Sequence, residues 1–310
     1  MNGVLIVDKP AGLTSHDVVN RVRRILGQRA VGHLGTLDPM ATGVLPLVTG
    51  NLTRLAQFYT GAEKVYEGII RFGYSTDTYD AEGEPTGPPQ QVTLNPEDVE
   101  AAAARFRGVI EQTPPPFSAK KIHGVPAYKL ARKQKEVVLK PVQVEIKELD
   151  ILEVAGDQVR FRARVASGTY MRSVAHEMGQ GFGCGAHLAS LRRTSVAEFS
   201  LEDARTLEQI GQCMCGQSGA SAGDSVGLDD IFVHPRKLLP HFPCVTADEP
   251  TAARIRSGRT VNLPELSRAR QVKVFCGQRE LIAIATRVAG TLFHPGIVLS
   301  AAGALAHEER

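Results

Sequence analysis

The feature that most constrains this chain is a run of sixteen residues, Gly32 to Leu47, in which one carboxylate lies among apolar neighbours. The run reads GHLGTLDPMATGVLPL, and Asp38 is its one acidic residue. An ionised aspartate is costly to place in apolar surroundings, so it needs a cationic partner or a chemical role. Pro39 follows directly, and an Asp-Pro pair is also typical of a helix start with the aspartate as its cap. The two interpretations are compatible, because a helix start could fix the loop that presents the carboxylate.

Apolar periodicity and capping residues predict the elements around this run. Thr14 and Asp17 have the spacing of a capping box, and the alternation at residues 64–73 places Tyr66 on a buried strand face as a core aromatic. The acidic, Gly- and Pro-rich residues 74–89 predict a surface loop. The predicted elements are a strand at 3–8, a helix from Thr14 to Gly27, a strand at 64–73, a helix from Asn95 to Gly108, a strand at 159–165, a helix from Thr169 to Met178, a short helix within 243–259, and strands at 272–276, 281–285 and 291–299.

Positive charge concentrates in the middle of the chain. Residues 1–100 carry 8 basic and 12 acidic side chains, residues 101–200 carry 16 and 9, and residues 201–310 carry 12 and 12, which gives the net charge of +3. Within the middle third, residues 112–142 are basic, flanked by prolines and too poor in apolar residues to form a core of their own. A polyanionic partner and a merely solvated basic loop both fit this distribution.

Arg172 lies at an electrostatically unfavourable place, the first turn of the helix that we expect Thr169 to cap. A cation there opposes the helix dipole by about 0.3–1 kcal/mol, so another interaction should favour it. The strand before it, residues 159–165, alternates apolar residues with arginines, which is typical of a half-buried strand with a solvated face.

Composition excludes several classes of protein. Apolar residues make up 43% of the chain, which is enough for a core, and no apolar run approaches the roughly 18–20 residues of a membrane span. The N-terminus lacks the features of a secretory signal, and five cysteines do not make a disulfide framework, so we expect a cytoplasmic protein. Near-miss zinc and dinucleotide motifs at 176–180 and 181–186 lack the required residues or context. Residues 211–227 predict a Gly/Ser-rich loop, and we expect no metal and no cofactor.

Four motifs resemble, in the same order, those of the TruB family of tRNA pseudouridine synthases. They are DKPAGLTS around Lys9, the run around Asp38, Lys-x-Tyr at 64–66, and Gly-Thr-Tyr-x-Arg at 168–172; Leu-Arg-Arg-Thr at 191–194 is also similar to a family motif. The resemblance implies that Asp38 is catalytic, that Arg172 pairs with it, and that Tyr66 stacks on the target base and is a candidate to accept the C5 proton. It also implies that further residues line the substrate site, namely Lys9, His33, Tyr170 and Leu191. For His33 a purely structural role stays open.

The same resemblance implies an α+β fold, the pseudouridine synthase fold, with a mixed, mainly antiparallel sheet flanked by helices. The catalytic domain would span residues 1–240, and a small β-rich domain that resembles a PUA domain would span residues 241–310. The basic insertion at 112–142 resembles the family's RNA-binding thumb, whose basic side chains would meet phosphates. Those side chains are Lys129, Arg132 and Lys133.

The implied function is isomerisation of uridine 55 in the T loop of tRNA to pseudouridine, after the base has been flipped out of its stack. The implied partner is the T arm of tRNA, and we expect a monomer with no obligate protein partner and no membrane. Two alternatives stay open: a non-catalytic protein that binds or folds tRNA, and a sibling synthase that acts on another RNA uridine. The sequence does not decide whether Asp38 attacks C6 of the base or C1′ of the ribose.

Overall fold

The computed structural model describes residues 1–118, 120–122, 125–127, 139–215 and 231–299. The strands in these ranges are β1 (Gly3–Lys9), β2 (Val31–His33), β3 (Thr42–Thr49), β4 (Lys64–Phe72), β5 (Gly108–Gln112), β6 (Lys121–Ile122), β7 (Val125–Pro126), β8 (Val142–Ala155), β9 (Gln158–Val165), β10 (Ala186–Val196), β11 (Phe199–Ser200), β12 (Ala204–Arg205), β13 (Cys244–Ala247), β14 (Val261–Asn262), β15 (Gln271–Cys276), β16 (Glu280–Ala289) and β17 (Leu292–Val298). The α-helices are α1 (Ser15–Ile25), α2 (Pro96–Ala104), α3 (Met171–Gly181), α4 (Leu207–Cys215) and α5 (Glu249–Arg256), and 3₁₀ helices span Gly50–Tyr59, Leu201–Asp203 and Pro235–Lys237.

A mixed, mainly antiparallel sheet of ten strands forms the larger part of the fold. Its order is β12-β1-β3-β10-β4-β9-β8-β5, with β2 added to β3 and β11 added to β10. Two of its pairings, β1 with β12 and β3 with β10, are parallel. The fold class implied by the sequence is confirmed by this arrangement. The long strands β4, β9 and β10 are adjacent, so Tyr66 on β4 lies opposite Ala163 on one side and Arg193 on the other.

Helices cover one face of this sheet because alternate strand residues point to it. On β1, Leu5 and Val7 contribute to a core that also holds Val18 of α1 and Val174 of α3. Residues of α2 and α4 belong to the same core. The start of α3 is thereby fixed against the sheet, and with it the position of Arg172, whose side chain is 4% exposed. The helix side of the sheet therefore carries the residues of the predicted site.

The opposite face of β1 and β3 packs against a second, five-stranded sheet of order β13-β15-β16-β17-β14. Val4 and Ile6, which alternate with the helix-facing residues of β1, share a core with Phe275 and Ile284 of the second sheet. The second sheet also has its own core on the side of α5. None of the helices in the described ranges is long and apolar enough to cross a membrane. The domain boundary near residue 240 stays a prediction; it falls between the last strand of one sheet and the first strand of the other.

Several local predictions are confirmed. Thr14 and Asp17 form the expected capping box at the start of α1. Asn95 caps α2, which ends at Ala104 and not at Gly108. The short helix and the three strands expected after residue 243 are present as α5, β15, β16 and β17, and the structure adds β13 and β14.

Other local predictions are wrong. No helix begins at Asp38, because the chain turns there through bends and enters β3 at Thr42. Thr169 does not cap α3, whose N-cap residue is Tyr170 and has no side-chain cap. The loop at 74–89 is not purely a surface loop, since Asp80 is 3% exposed. Residues 211–215 belong to α4, and the rest of the predicted loop, 216–227, lies outside the described residues, as do Lys129, Arg132 and Lys133 of the predicted thumb.

Candidate active site

Asp38 lies on the loop that joins β2 to β3, and Ser15, the first residue of α1, anchors this loop. The Ser15 hydroxyl accepts a hydrogen bond from Leu37 N at 2.8 Å and donates one to Leu37 O at 3.0 Å. The Leu37 side chain is buried in the core on the helix side of the sheet. A single serine thus satisfies both backbone groups of the residue before Asp38, which fixes where the carboxylate is presented.

Two buried cations hold the same loop on either side of Asp38. Lys9 Nζ donates to the carbonyl oxygens of Pro10 (2.9 Å), Pro39 (3.0 Å) and Ala41 (2.7 Å), and burial lowers the pKa of this lysine to about 8. An ammonium group has three donors, and carbonyl oxygens occupy all three. The resemblance implies a place for Lys9 in the substrate site, but the structure leaves it no donor for a substrate. Its contacts are those of a positioning residue.

Arg193 is the second buried cation, and it too binds backbone carbonyls. Its Nε donates to Val44 O at 2.8 Å, Nη1 to Thr36 O at 3.1 Å and Nη2 to Gly35 O at 3.0 Å. Gly43 allows this packing, because a Cβ there would lie 2.2 Å from Arg193 O and the residue has a φ of 102°. The segment between Gly35 and Val44 is therefore held by five hydrogen bonds from Lys9 and Arg193 to its carbonyl oxygens.

Arg172 pairs with Asp38, as the family resemblance implied. Arg172 Nη2 donates to Asp38 Oδ1 at 3.0 Å, and its Nε lies 2.9 Å from Oδ2. The arginine side chain is 4% exposed, whereas the aspartate side chain is 32% exposed. The guanidinium thus contacts both carboxylate oxygens from the protein side, with a hydrogen bond from Nη2 and an ion-pair contact at Nε, and the other side of the carboxylate remains accessible.

Arg172 has further partners that the sequence did not reveal. It donates to Thr78 O at 3.1 Å through Nη1 and to Phe117 O at 3.0 Å through Nη2, and Asp80 Oδ2 lies 3.6 Å from Nη1. Asp80 is itself held by the Thr78 hydroxyl, which donates to its Oδ1 at 2.6 Å. A buried arginine shared between two carboxylates is better compensated than one with a single half-exposed partner. The sequence holds one signal for Asp80: a buried arginine needs more acceptors than a single carboxylate provides. The loop-like composition of residues 74–89 gave no indication that Asp80 is the second acceptor.

Two cavities meet at the Asp38–Arg172 pair. The smaller one is slightly more enclosed and is called the deeper cavity below; it has a volume of about 250 Å³, and its walls include the predicted residues Tyr66, Tyr170 and Leu191 together with Lys64. The outer one has a volume of about 620 Å³, and its walls include His33, His16, Asp80 and Glu82. The structure thereby brings together Asp38, Arg172, Tyr66, Tyr170, Leu191 and His33, and Lys64, Asp80 and Ser118 are added to the predicted set.

Burial shifts the pKa values of several residues around the two cavities. It raises the pKa of the Tyr170 phenol, and it lowers the pKa of Lys64 to about 8 with a further contribution from Arg193. It also lowers the pKa of His33, again with help from Arg193. His33 therefore faces the outer cavity as a neutral imidazole at neutral pH, and its Nδ1 accepts a hydrogen bond from Gly35 N at 3.3 Å. Burial and the nearby carboxylates Asp80 and Asp38 raise the pKa of Glu82.

The arginines of β9 belong to a solvated face. Arg164 pairs with Glu148, and Arg160 Nε lies 3.3 Å from Glu153 Oε2, both across to β8. These side chains are largely exposed, and the cross-strand pairs oppose the charge of two of the three arginines on this strand. This strand therefore does not present an unopposed basic surface.

The site combines a fixed, accessible carboxylate with a deep cavity that has two aromatic walls. Tyr66 and Tyr170 can stack on a planar ring, and Leu191 adds an apolar wall. Asp38 lines both that cavity and the outer one, so it can act on an atom at the edge of a bound ring or of an attached sugar. This arrangement suits chemistry at a nucleotide that has left its stack.

Comparison with known proteins finds matches over most of the chain. Residues 23–171 match the family model described as TruB family pseudouridylate synthase (N terminal domain), and residues 172–231 match the model described as tRNA pseudouridylate synthase B C-terminal domain. The chain is 51% identical to the tRNA pseudouridine synthase B of Solibacter usitatus (strain Ellin6076) over 302 residues, which cover 96% of this chain and 100% of that protein. It is 39% identical to the protein of the same name from Stutzerimonas stutzeri (strain A1501), with 88% of each chain covered.

A solved structure shares the fold. The crystal structure of the archaeal box H/ACA sRNP Nop10-Cbf5 complex contains a chain with a TM-score of 0.68 and 25% identity. The similarity covers 96% of this chain and 86% of that one. The two-sheet arrangement described above is therefore shared with a protein of known structure.

Proposed function

This chain belongs to the TruB family and is a tRNA pseudouridine synthase, and from that premise we propose that it isomerises uridine 55 in the T loop, with Asp38 as the catalytic residue. The observation that carries the proposal is the position of Asp38 at the junction of two cavities, held from behind by Arg172. A non-catalytic RNA-binding protein would not need a carboxylate held accessible in this way.

The target base has to leave its stack to reach Asp38, at a cost of a few kcal/mol. In the deeper cavity it would stack on Tyr66 and pack beside Leu191. His33 lines the outer cavity, and it is our candidate to occupy the space that the base leaves in the RNA stack. The basic insertion at 112–142 would grip the backbone phosphates of the T arm.

The reaction is an isomerisation, so its atoms balance without a co-reactant. The bond between C1′ and N1 breaks with its electron pair moving to the uracil, the ring turns in the deeper cavity, and C5 bonds to C1′. The proton on C5 then leaves, with Tyr66 as the candidate base, and N1 gains a proton. Asp38 assists either by covalent attack, at C1′ or C6, or by stabilising positive charge at the sugar, and Arg172 holds its carboxylate in place for either role.

We also propose that the enzyme works as a monomer in the cytoplasm, with tRNA as its partner. Asp38, Arg172, Tyr66, Tyr170 and Leu191 all come from one chain, so the described site needs no second subunit to contribute a side chain.

The test is the removal of the Asp38 charge without a change in its shape. In Asp38→Asn we expect release of tritium from C5-labelled uridine in tRNA to fall to a trace of the parent rate, while binding of tRNA stays within a few fold. Uridine 55 is then checked by mapping which uridine of cellular tRNA loses its pseudouridine signal when the gene is deleted. Turnover by the variant near the parent rate would remove Asp38 from its role, and loss of signal at another uridine would favour a sibling specificity.

A further inference from the structure

Only a few residues line both cavities, and they mark where the sugar of a bound nucleotide must lie. They are Thr36, Leu37, Asp38, Ser118 and Arg172. In the proposed function the base fills the deeper cavity and its glycosidic bond lies next to Asp38. The ribose of the target nucleotide is therefore at this junction, between the base inside and the polynucleotide backbone outside.

Ser118 has a buried hydroxyl at this junction that the described residues do not use fully. The residue is 3% exposed, and its Oγ has no partner with hydrogen-bond geometry among the residues that the structure describes. Its place relative to Asp38 is fixed, because the preceding carbonyl, Phe117 O, accepts from the same Arg172 Nη2 that binds Asp38. Thr36, the other hydroxyl residue at the junction, is exposed to solvent.

The phenol of Tyr170 is the neighbour of the Ser118 hydroxyl. Burial raises the pKa of Tyr170, and interaction with Ser118 lowers it in part. A serine oxygen has one O–H and two lone pairs, so contact with one phenol leaves it able both to donate and to accept. Leaving a buried hydroxyl in that state is unfavourable, and a ligand group that completes its hydrogen bonds is favoured in return.

The chemistry of the junction selects one group of the nucleotide. A phosphate would require a cation, and Arg172 is already bound to Asp38 and to the carbonyls of Thr78 and Phe117. Within a polynucleotide the 3′ and 5′ oxygens are esterified, so the 2′-hydroxyl is the one free hydroxyl of the ribose. It both donates and accepts, which matches a serine hydroxyl, and it is the group that distinguishes RNA from DNA.

We propose that Ser118 Oγ hydrogen-bonds the 2′-hydroxyl of the target nucleotide and so selects a ribonucleotide at this position. The inference rests on the proposed function, because it takes the base to lie in the deeper cavity. It adds a specificity-determining residue outside the motifs that the sequence singled out.

A double-mutant cycle between enzyme and substrate tests the contact. Dissociation constants are measured for T-arm stem-loops with uridine or 2′-deoxyuridine at the target position, using the parent and Ser118→Ala. We expect the parent to bind the ribonucleotide about fivefold or more tightly, the value of one good hydrogen bond, and Ser118→Ala to bind the two stem-loops equally. Single-turnover tritium release from the ribonucleotide should fall in the same variant.

Thr169→Val is the matched control. Thr169 also has a buried hydroxyl without a partner among the described residues, but it lines only the deeper cavity. Its loss should leave the preference for the ribonucleotide unchanged. A preference that persists in Ser118→Ala, or a parent with no preference, would overturn the inference while leaving the proposed function intact. Failure of the parent to convert the ribonucleotide stem-loop would instead overturn the proposed function, and this inference with it.

Discussion

Arg172 has two carboxylates and two carbonyls to satisfy, and this explains why an arginine is required. A planar guanidinium can bind Asp38 through one edge while its other nitrogen faces Thr78 O and Asp80. A lysine would supply the charge but not the fork. At 4% exposure, the arginine cannot exchange these partners for water, so its loss leaves Asp38 and Asp80 without a cation between them.

Replacing Arg172 by Met should change the dependence of the rate on pH. Without the guanidinium, desolvation and the nearby Asp80 favour the protonated form of Asp38, so activity should fall most at low pH and partly recover as pH rises. Arg172→Lys should restore activity only in part. The measurement is the pH–rate profile under single-turnover conditions, so that product release does not mask chemistry. A profile with the parent's shape, merely scaled down, would show that the pair does not control ionisation.

At the scale of an element, the loop that carries Asp38 is held largely by hydrogen bonds from two buried cations to its carbonyl oxygens. Gly35, Thr36 and Val44 direct their carbonyls at Arg193, and Pro39 and Ala41 direct theirs at Lys9. Carbonyl dipoles compensate each buried cation, so neither cation needs the Asp38 carboxylate as a partner. That carboxylate therefore stays available to Arg172 and the substrate.

Arg193→Met should destabilise the fold and displace the loop. One buried and two partly buried carbonyls lose their donor, and each buried orphaned group costs about 1–3 kcal/mol, so we expect a loss of at least about 2 kcal/mol in the free energy of unfolding. The adjacent Arg192 is the matched control, because it pairs with Asp8 at 2.7 Å near the surface with 41% of its side chain exposed. Arg192→Met should cost at most about 1 kcal/mol. Urea unfolding measures both, and equal losses would contradict the assignment of Arg193 as the buried clamp.

The basic insertion is a second element with its own prediction. Neutralising Lys129, Arg132 and Lys133 together should weaken tRNA binding and reduce its dependence on salt, since each phosphate contact contributes about 0.9 to the log–log slope on a duplex. The measurement is the dissociation constant over a series of salt concentrations. The control is neutralisation of Arg160 on β9, which pairs with Glu153 and should leave the slope unchanged. A slope that stays the same in the triple variant would mean that the segment is only a solvated loop.

The sequence was informative where one residue had a local energetic problem. Asp38 among apolar residues and Arg172 against a helix dipole both required a partner, and the structure joins them. It was uninformative where composition averaged over a segment: Asp80 and Ser118 lie in stretches that read as loop and basic insertion. Lys9 shows a third limit, because a lysine bound to three backbone carbonyls leaves no pattern in the sequence.

At the scale of the whole molecule, the two sheets share a core. Val4, Ile6 and Val48 of the larger sheet pack with Phe275 and Ile284 of the smaller one. Lys273 adds polar contacts to the connection, since its Nζ donates to Arg236 O at 2.8 Å and Leu238 O at 2.6 Å. β1 is thus packed on both faces, and the same strand ends at Lys9, which binds the loop that carries Asp38. Loss of the smaller sheet would therefore expose one face of β1, and the resulting displacement of this strand would disturb the site at its end.

A pair of buried phenylalanines tests whether the two sheets unfold together. Phe275 lies in the shared core and Phe293 in the separate core of the smaller sheet; both are fully buried, and each ring has an arginine 4.5 Å from its centroid. Replacing either by Ala should cost about 3–5 kcal/mol. If the shared core couples the sheets, Phe293→Ala should accelerate amide hydrogen exchange in β1 and β3 as much as in β15 and β16, because all four strands open in one event. Exchange that rises only in β15 and β16 would show that the smaller sheet unfolds alone, and Phe275→Ala would then affect the larger sheet solely through its exposed face.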